Sequence, residues 1–362
     1  MHTITIVALG PGSPDLVTLG TLKHLQKAKT LLLRTARHGA VKLLNEQGIA
    51  FQSLDSLYDE SEDFDAFTQS AAQAVLEQAK KTPLTYAVAD PSCDASVRLL
   101  TQMVGDSARL LPGVPLQAPF LQAALPRLPV LVSSAVDLPV VSAQQALCVF
   151  ELHSKALAGD IKLRLLDVYG EQAELLFFPP SEAASRKFIS TRLTELDRQP
   201  RYNHTSGFIL LPQKLLERER FDPEDLLAIM RILRAPDGCP WDREQTHQSL
   251  AKYLVEEANE AACALLDEDW DAAAEELGDV FLQLAFHAVV GEEHATFTWG
   301  EMLQNICLKL IRRHPHIFGG KRLDTAQEVL ASWEQIKKAE RGDTTTGGRM
   351  LEVPRGLPPM MR

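Results

Sequence analysis

The sequence predicts two domains of different class: an α/β domain over residues 1–214 and an all-α helical bundle over 221–340, followed by a Pro/Gly-rich tail over 341–362. Three observations carry this. Short β-rich runs alternate with helical stretches up to about residue 215, and helical periodicity dominates beyond it. A charged stretch from Gln213 to Arg220 divides the two regimes, and Asp222-Pro223-Glu224-Asp225 then reads as an N-cap, a first-turn proline and an acidic first turn.

The β-rich runs are Ile4 to Leu9, Thr30 to Leu33, Tyr86 to Ala89, Val130 to Ser133, Glu174 to Phe178 and Gly207 to Leu211. The first runs into the turn Gly10-Pro11-Gly12, and a helix follows from about Thr18 to Ala28. Backbone can approach a ligand closely at such a turn, which makes Gly10 and Gly12 candidate cofactor contacts. The same layout also serves as ordinary packing punctuation between strand and helix.

Two acidic clusters lie about twenty residues apart in the second region, Glu256-Glu257-x-x-Glu260 and Glu276-x-x-Asp279. At about 100° per residue, spacings of three and four return to nearly the same helix face, so the acids on each helix are neighbours. Leu250, Leu254, Ala258, Ala261 and Leu265 mark the apolar stripe of one helix, and Leu277, Phe281, Leu284 and Ala288 that of the next. Asp267-Glu268-Asp269 between them reads as a tight connection, so the helices should pack as an antiparallel hairpin. Joining the stripes brings four or five carboxylates toward one cleft, where they repel unless cations or protons neutralise them. A solvated acidic face would normally interleave Lys or Arg, and neither cluster does. Mg²⁺ suits such a site, with Mn²⁺ as the alternative ion, because it takes oxygen ligands and shares its shell with substrate phosphates.

The stretch Gly238-Cys239-Pro240-Trp241-Asp242, Gln245-Thr246-His247, Glu256-Glu257-x-x-Glu260 and Glu276-Leu277-Gly278-Asp279 resembles the MazG family of nucleoside triphosphate pyrophosphohydrolases. The likeness continues through Lys309 to Gly319 and Trp333-Glu334-Gln335-Ile336-Lys337. It implies a MazG-like helical bundle, a homodimer formed through the helical domain, and Mg²⁺-dependent cleavage of a nucleoside triphosphate to monophosphate and pyrophosphate. In that reading Glu257, Glu260, Glu276 and Asp279 hold the metal, and Glu256 steers or deprotonates the attacking water, with Glu257 beside it. Lys309, Arg312, Arg313, Trp333 and Lys337 contact the nucleotide. Lys309 and Arg313 share a helix face, and Trp333 lies one turn from Lys337, a pairing that suits a base beside phosphates. The alternative for these residues is a core Trp333 and a solvated basic helix end. Ala272 stands where some members carry a basic residue.

The opening glycine turn, Pro14-Asp15-Leu16-Val17-Thr18-Leu19-Gly20, Leu33-Arg34-Thr35-Ala36-Arg37-His38 and Leu111-Pro112-Gly113-Val114 together resemble the tetrapyrrole methylase family. That implies two α/β subdomains with S-adenosylmethionine in the cleft between them, and Gly10, Gly12 and Gly113 near the cofactor. Where members carry a glycine-proline loop after the third β-rich run, this chain has Ala89-Asp90-Pro91-Ser92-Cys93-Asp94, and Ser133 to Gln145 lacks further glycines. The expectation is therefore a retained scaffold, a weakened cofactor site or a regulatory ligand site rather than methyl transfer.

A chain of 362 residues with 45% apolar content suits two domains that each bury a core. The net charge of −11 argues against a general nucleic-acid binder. Five scattered cysteines without a Cys-x-x-Cys pair suggest reduced thiols, and no apolar run is long enough to cross a membrane, so a cytoplasmic protein is expected. Met1 leads into a strand rather than a signal peptide. Two rival functions remain: an S-adenosylmethionine-dependent methyltransferase with an accessory helical domain, and a non-catalytic nucleotide sensor. The tail from Arg349 to Arg362 is expected to dock across the helical domain or onto a dimer partner.

Overall fold

Nearly every residue of the first strands is apolar, which in a parallel sheet means that helices cover both faces. The computed structural model describes residues 2–124, 129–320, 322–323 and 325–341, so the expected docking of the tail lies outside the described residues. The chain divides into two units, Met1–Phe221 and Asp222–Arg362.

The first unit holds two sheets. In the first sheet β1 (Ile4–Ala8), β2 (Leu31–Leu33), β3 (Gln52–Ser53), β4 (Leu84–Val88) and β5 (Ala108–Leu111) run parallel in the order β3-β2-β4-β1-β5. Parallel strands require crossovers. These are built from α1 (Leu19–Leu25), α2 (Val41–Glu46), α3 (Asp55–Glu60), α4 (Phe64–Ala79) and α5 (Ala95–Val104). Side-chain alternation sorts the strand residues. Ile4, Ile6, Leu32, Tyr86 and Val88 pack with Phe67, Ala71 and Val75 of α4 and with Val97 and Leu100 of α5. Val7, Leu31, Leu33 and Ala87 turn the other way, toward Leu25 of α1 and Leu44 of α2.

After α6 (Ala118–Ala124) comes a mixed sheet of β6 (Val130–Ser134), β7 (Ala146–Phe150), β8 (Glu174–Phe178), β9 (Ile189–Arg192) and β10 (Gly207–Leu210), in the order β6-β7-β10-β8-β9. Only the β6–β7 pair is parallel. Leu147, Val149, Leu175, Phe177, Phe208 and Leu210 face α7 (Lys155–Tyr169), and Cys148, Phe150, Phe178 and Ile209 face Phe120 of α6. Strands β3, β5, β7 and β9 go beyond the sequence-predicted runs. β3, β5 and β9 are short edge strands with exposed or partly exposed residues, and the wholly apolar β7 has no period that distinguishes it from a helix segment.

The second unit is helical: α8 (Pro223–Arg234), α9 (Pro240–Glu244), α10 (His247–Leu266), α11 (Trp270–Glu293), α12 (Trp299–Arg313), α13 (Pro315–Phe318) and α14 (Ala326–Arg341). Asp222, Thr246 and Thr298 cap α8, α10 and α12 in reciprocal capping boxes, and Asp269 caps α11. α10 and α11 form a hairpin joined by Asp267–Asp269, with Glu268 at φ 56° making the reversal. The core gathers at one end of that hairpin, from Leu227 and Met230 of α8, Leu250 of α10, and Ala285, Phe286, Ala288, Val289 and Val290 of α11. Toward the connection the predicted apolar stripes emerge into solvent: Ala258, Leu265 and Leu277 are exposed. No described helix is long and apolar enough to cross a membrane.

Candidate functional site

The acidic clusters lie at the poorly buried end of the hairpin. Helical spacing puts Glu257 and Glu260 one turn apart on α10, and the hairpin sets Glu276 of α11 against them. One carboxylate oxygen from each of the three lies within 4.8 Å of the others. Glu257 and Glu276 are half-buried, and Glu260 is exposed. Asp279 stands outside this close triad but within electrostatic reach, and Glu256 is exposed beside Glu257.

The charges act on one another. Desolvation pushes the Glu257 carboxyl above its ordinary range, and the charges of Asp279, Glu260 and Glu256 push in the same direction. Glu276 is raised for the same reasons, first by desolvation and then by Glu260, Asp279, Glu257 and Glu275. No cation appears among these causes. Such a cluster is unfavourable alone and favourable around a cation. Two oxygens on one Mg²⁺ lie at most about 4.2 Å apart, so a set spanning 4.8 Å closes on an ion with small side-chain rotations. Three carboxylates without sulfur or nitrogen donors match a hard divalent ion and leave coordination positions for water and phosphate.

The basic and aromatic residues form a second group, on α12 and α14. Arg312 Nε donates to Glu340 Oε1 at 2.7 Å and Arg313 Nη2 to Glu340 Oε2 at 2.6 Å, so one carboxylate holds both guanidinium groups. The hydrogen bond from Arg313, together with the second from Arg312, keeps the Glu340 carboxyl below its usual range. Trp333 is partly buried, with Arg313 Cζ 5.5 Å and Lys337 Nζ 4.8 Å from its ring centre. Lys309 is exposed on α12. His314 ends α12 as its C-cap.

In the first unit Gly10 and Gly12 hold φ of 84° and 109°, which side chains rarely adopt. His38 fixes this turn, because its Nδ1 accepts from Ala40 N at 3.2 Å and its Nε2 therefore donates to Gly10 O at 3.0 Å. A Cβ on Gly113 would fall 2.5 Å from Ala8 Cβ, so close packing on β1 already requires a glycine there. The loop after β4 is organised by Asp90, whose Oδ1 accepts from Ser92 and whose Oδ2 accepts from Leu116 N at 3.1 Å.

A crevice absent from the sequence reading opens beside this turn. It is lined by Pro11, Ala89, Phe120, Phe150, Arg186 and His204, among others. Arg186 and His204 come from loops far along the chain, and no local pattern marks them.

Comparison with known proteins finds two families along the chain. Residues 3–150 match the tetrapyrrole (corrin/porphyrin) methylases, and residues 245–318 match the MazG nucleotide pyrophosphohydrolase domain. An uncharacterized protein of Bacillus subtilis (strain 168), YabN, is 32% identical over 99% of this chain and 75% of its own length. A nucleoside triphosphate pyrophosphohydrolase of Escherichia coli (strain K12) is 43% identical over 138 residues, 38% of this chain, and the match spans about half (52%) of that relative's length. The solved cobalt precorrin-4 methyltransferase CbiF aligns with 57% of this chain and 94% of its own, at 17% identity and a TM-score of 0.44.

Proposed function

This chain belongs to the family that joins an N-terminal tetrapyrrole methylase domain to a C-terminal MazG pyrophosphohydrolase domain, and on that premise we propose that its helical unit hydrolyses nucleoside triphosphates to monophosphate and pyrophosphate with Mg²⁺. The observation that carries the reading is the carboxylate triad, with oxygens of Glu257, Glu260 and Glu276 within 4.8 Å on two adjoining helices. Glu257, Glu260 and Glu276 would hold the ion, with Asp279 completing the charge around it. When bound, Mg²⁺ supplies charge neutralisation on the phosphates and acidifies a coordinated water.

The chain's own residues account for the rest. Desolvation and mutual repulsion together leave Glu257 and Glu276 poised to bind a cation. Exposed Glu256, one residue from the triad, is the candidate to orient or deprotonate the attacking water. Arg312, Arg313 and Lys337 supply positive charge for phosphate oxygens, and Lys309 adds another donor on the same helix as the two arginines. The Trp333 ring offers a face to a base, since stacking needs no particular hydrogen-bond pattern.

A homodimer belongs to the same proposal. No residue of α12 is buried, and Leu303, Ile306 and Leu310, spaced three and four apart, are all exposed. A second copy covering this stripe would complete the core. Ile306→Asp is expected to shift the protein from dimer to monomer in sedimentation velocity, and a native chain that sediments as a monomer at working concentration would remove this part.

The direct test incubates purified protein and Mg²⁺ with a panel of canonical and damaged nucleoside triphosphates and follows pyrophosphate. Release by the native chain and its loss in Glu257→Ala and Glu276→Ala are expected. Nucleotide binding without release across the panel would favour a sensor, and turnover of S-adenosylmethionine would restore methyl transfer as the leading activity.

A further inference from the structure

Two histidines fasten the first turn of α10 to α11. Nδ1 of His247, the first residue of α10, lies 2.9 Å from Nδ1 of His287 in α11, and the rings are nearly parallel, 5.1 Å apart between centres and 13° between planes. Phe297 also stacks on His247, at 5.3 Å and 27°. Both imidazoles are partly buried, and Phe286 and Ala288, which flank His287 on α11, belong to the helical core. His247 has no part in the proposed hydrolysis.

Two imidazole nitrogens share a hydrogen bond only when one carries the proton and the other a lone pair. The neutral pair meets this condition. The doubly charged pair cannot, because N–H then faces N–H. A singly charged pair keeps the bond but must place a proton on His247 Nε2, which is buried with no partner, and it sets a cation beside the amino end of α10, where the helix dipole is already positive. Burial, and after it the neighbouring His247, holds the His287 imidazole below its ordinary range. The charged groups at this end of the hairpin offer no relief. Arg231 and Arg234 of α8 pair with Glu292 and Glu293 of α11 at 3.0 and 2.6 Å, and Asp225 of α8 and Glu301 of α12 serve the capping boxes of their own helices. Glu224 of α8, Arg243 and Glu244 of α9 and His294 after α11 are exposed, and Lys252 of α10 lies over the Tyr253 ring at 4.5 Å. Among the described residues no carboxylate bonds to either ring or acts on His287.

We propose that the His247–His287 pair is an acid-sensitive latch: while neutral it clasps the first turn of α10 to α11, and protonation releases that turn. The folded chain favours the neutral form of His287, so the latch contributes in full above the ordinary histidine value of about 6.5, and its contribution is lost as pH falls from there toward the lowered value. Glu257 and Glu260 lie further along the same helix, so acid loosens α10 from the end opposite its carboxylates. This inference is independent of the pyrophosphohydrolase reading, because it is read by amide exchange and imidazole titration rather than turnover.

The test uses the full chain without nucleotide or Mg²⁺. Hydrogen exchange read by mass spectrometry follows the amides of the first turn of α10, among them Ser249 and Leu250, which donate to Thr246. After correction for the intrinsic rate, their protection is expected to fall about tenfold between roughly pH 7.5 and 5, the scale of a one-unit difference in pKa. His287→Phe keeps a flat ring in the stack and holds no proton, so the fall should shrink to about twofold or less, against the tenfold that such a one-unit difference gives. Imidazole titration of the native chain by NMR needs no variant and serves if the Phe chain does not fold: His287 should charge at lower pH in the folded chain than in the urea-unfolded one. A His287 that charges at the same pH in both states, or an exchange response in His287→Phe equal to that of the native chain, would overturn the proposal.

Discussion

The crevice around Arg186 and the carboxylate triad on α10 and α11 hold opposite uncompensated charges, and the fold tolerates them by different means. Arg186 is nearly enclosed by aromatic and aliphatic walls, so its cost is desolvation, and a ring face offsets only part of it. Glu257, Glu260 and Glu276 remain partly or fully exposed, and for Glu257 and Glu276 desolvation is joined by repulsion from the neighbouring carboxylates. A walled single charge is borne by the fold around it, whereas a partly exposed cluster at the open end of a hairpin selects a small ion by charge density. The helical core lies at the other end of that hairpin, near Leu250 and Phe286. The acids can repel without splitting it.

The largest expected effect breaks the acidic side of this comparison. Glu257→Gln or Glu276→Gln should lower Mg²⁺-dependent pyrophosphate release by roughly 10²-fold or more, about 2.7 kcal/mol of barrier. Steady-state kinetics checks this.

A smaller effect concerns stability and its pH dependence. Glu257 and Glu276 have folded pKa values raised above those of the unfolded chain, so the folded state binds more protons just above the ordinary glutamate range. Their contribution therefore worsens as pH rises through the raised values, and is relieved as pH falls. Glu293 and Glu340 are lowered chiefly by hydrogen bonds from Arg234 and Arg313, so their stabilisation is lost as pH falls and runs in the opposite direction. The difference between native chain and the Glu257→Gln, Glu276→Gln double variant isolates the combined desolvation and repulsion of these two carboxyls. In denaturant melts without Mg²⁺ the double variant should gain on the native chain as pH rises from about 4 to 7. Saturating Mg²⁺ should reverse that gain. A pH-independent difference would show that the triad is not coupled as its geometry implies.

The smallest effect sharpens the nucleotide side. Trp333→Ala should raise KM about tenfold, the scale of one base stacked on an aromatic ring, with kcat within a few-fold of native. An equal fall in kcat without a change in KM would mean that Trp333 supports the Arg313 and Lys337 geometry instead of holding a base.

Much of this was legible in residue order because the signals are local. The i, i+3 spacing pairs Glu257 with Glu260 whatever the tertiary fold. The strand Glu174–Phe178 and the helix start at Asp222 are equally local. β7 escaped because a wholly buried strand carries no alternation, and the predicted stripe through Ala258 and Leu265 overstated burial because few apolar residues from other helices meet that end of the hairpin.

The sequence by itself determined the alternation that makes one unit α/β, the periodicity that makes the other helical, and the acid pairs on single helix faces, since each depends on backbone geometry over a few residues. Only the tertiary structure decided that Glu276 meets Glu257 and Glu260, that Arg312 and Arg313 share Glu340, and that Arg186 enters an apolar crevice without a counter-charge. These juxtapositions join residues 16 to more than 170 positions apart, where packing rather than local preference fixes the distance.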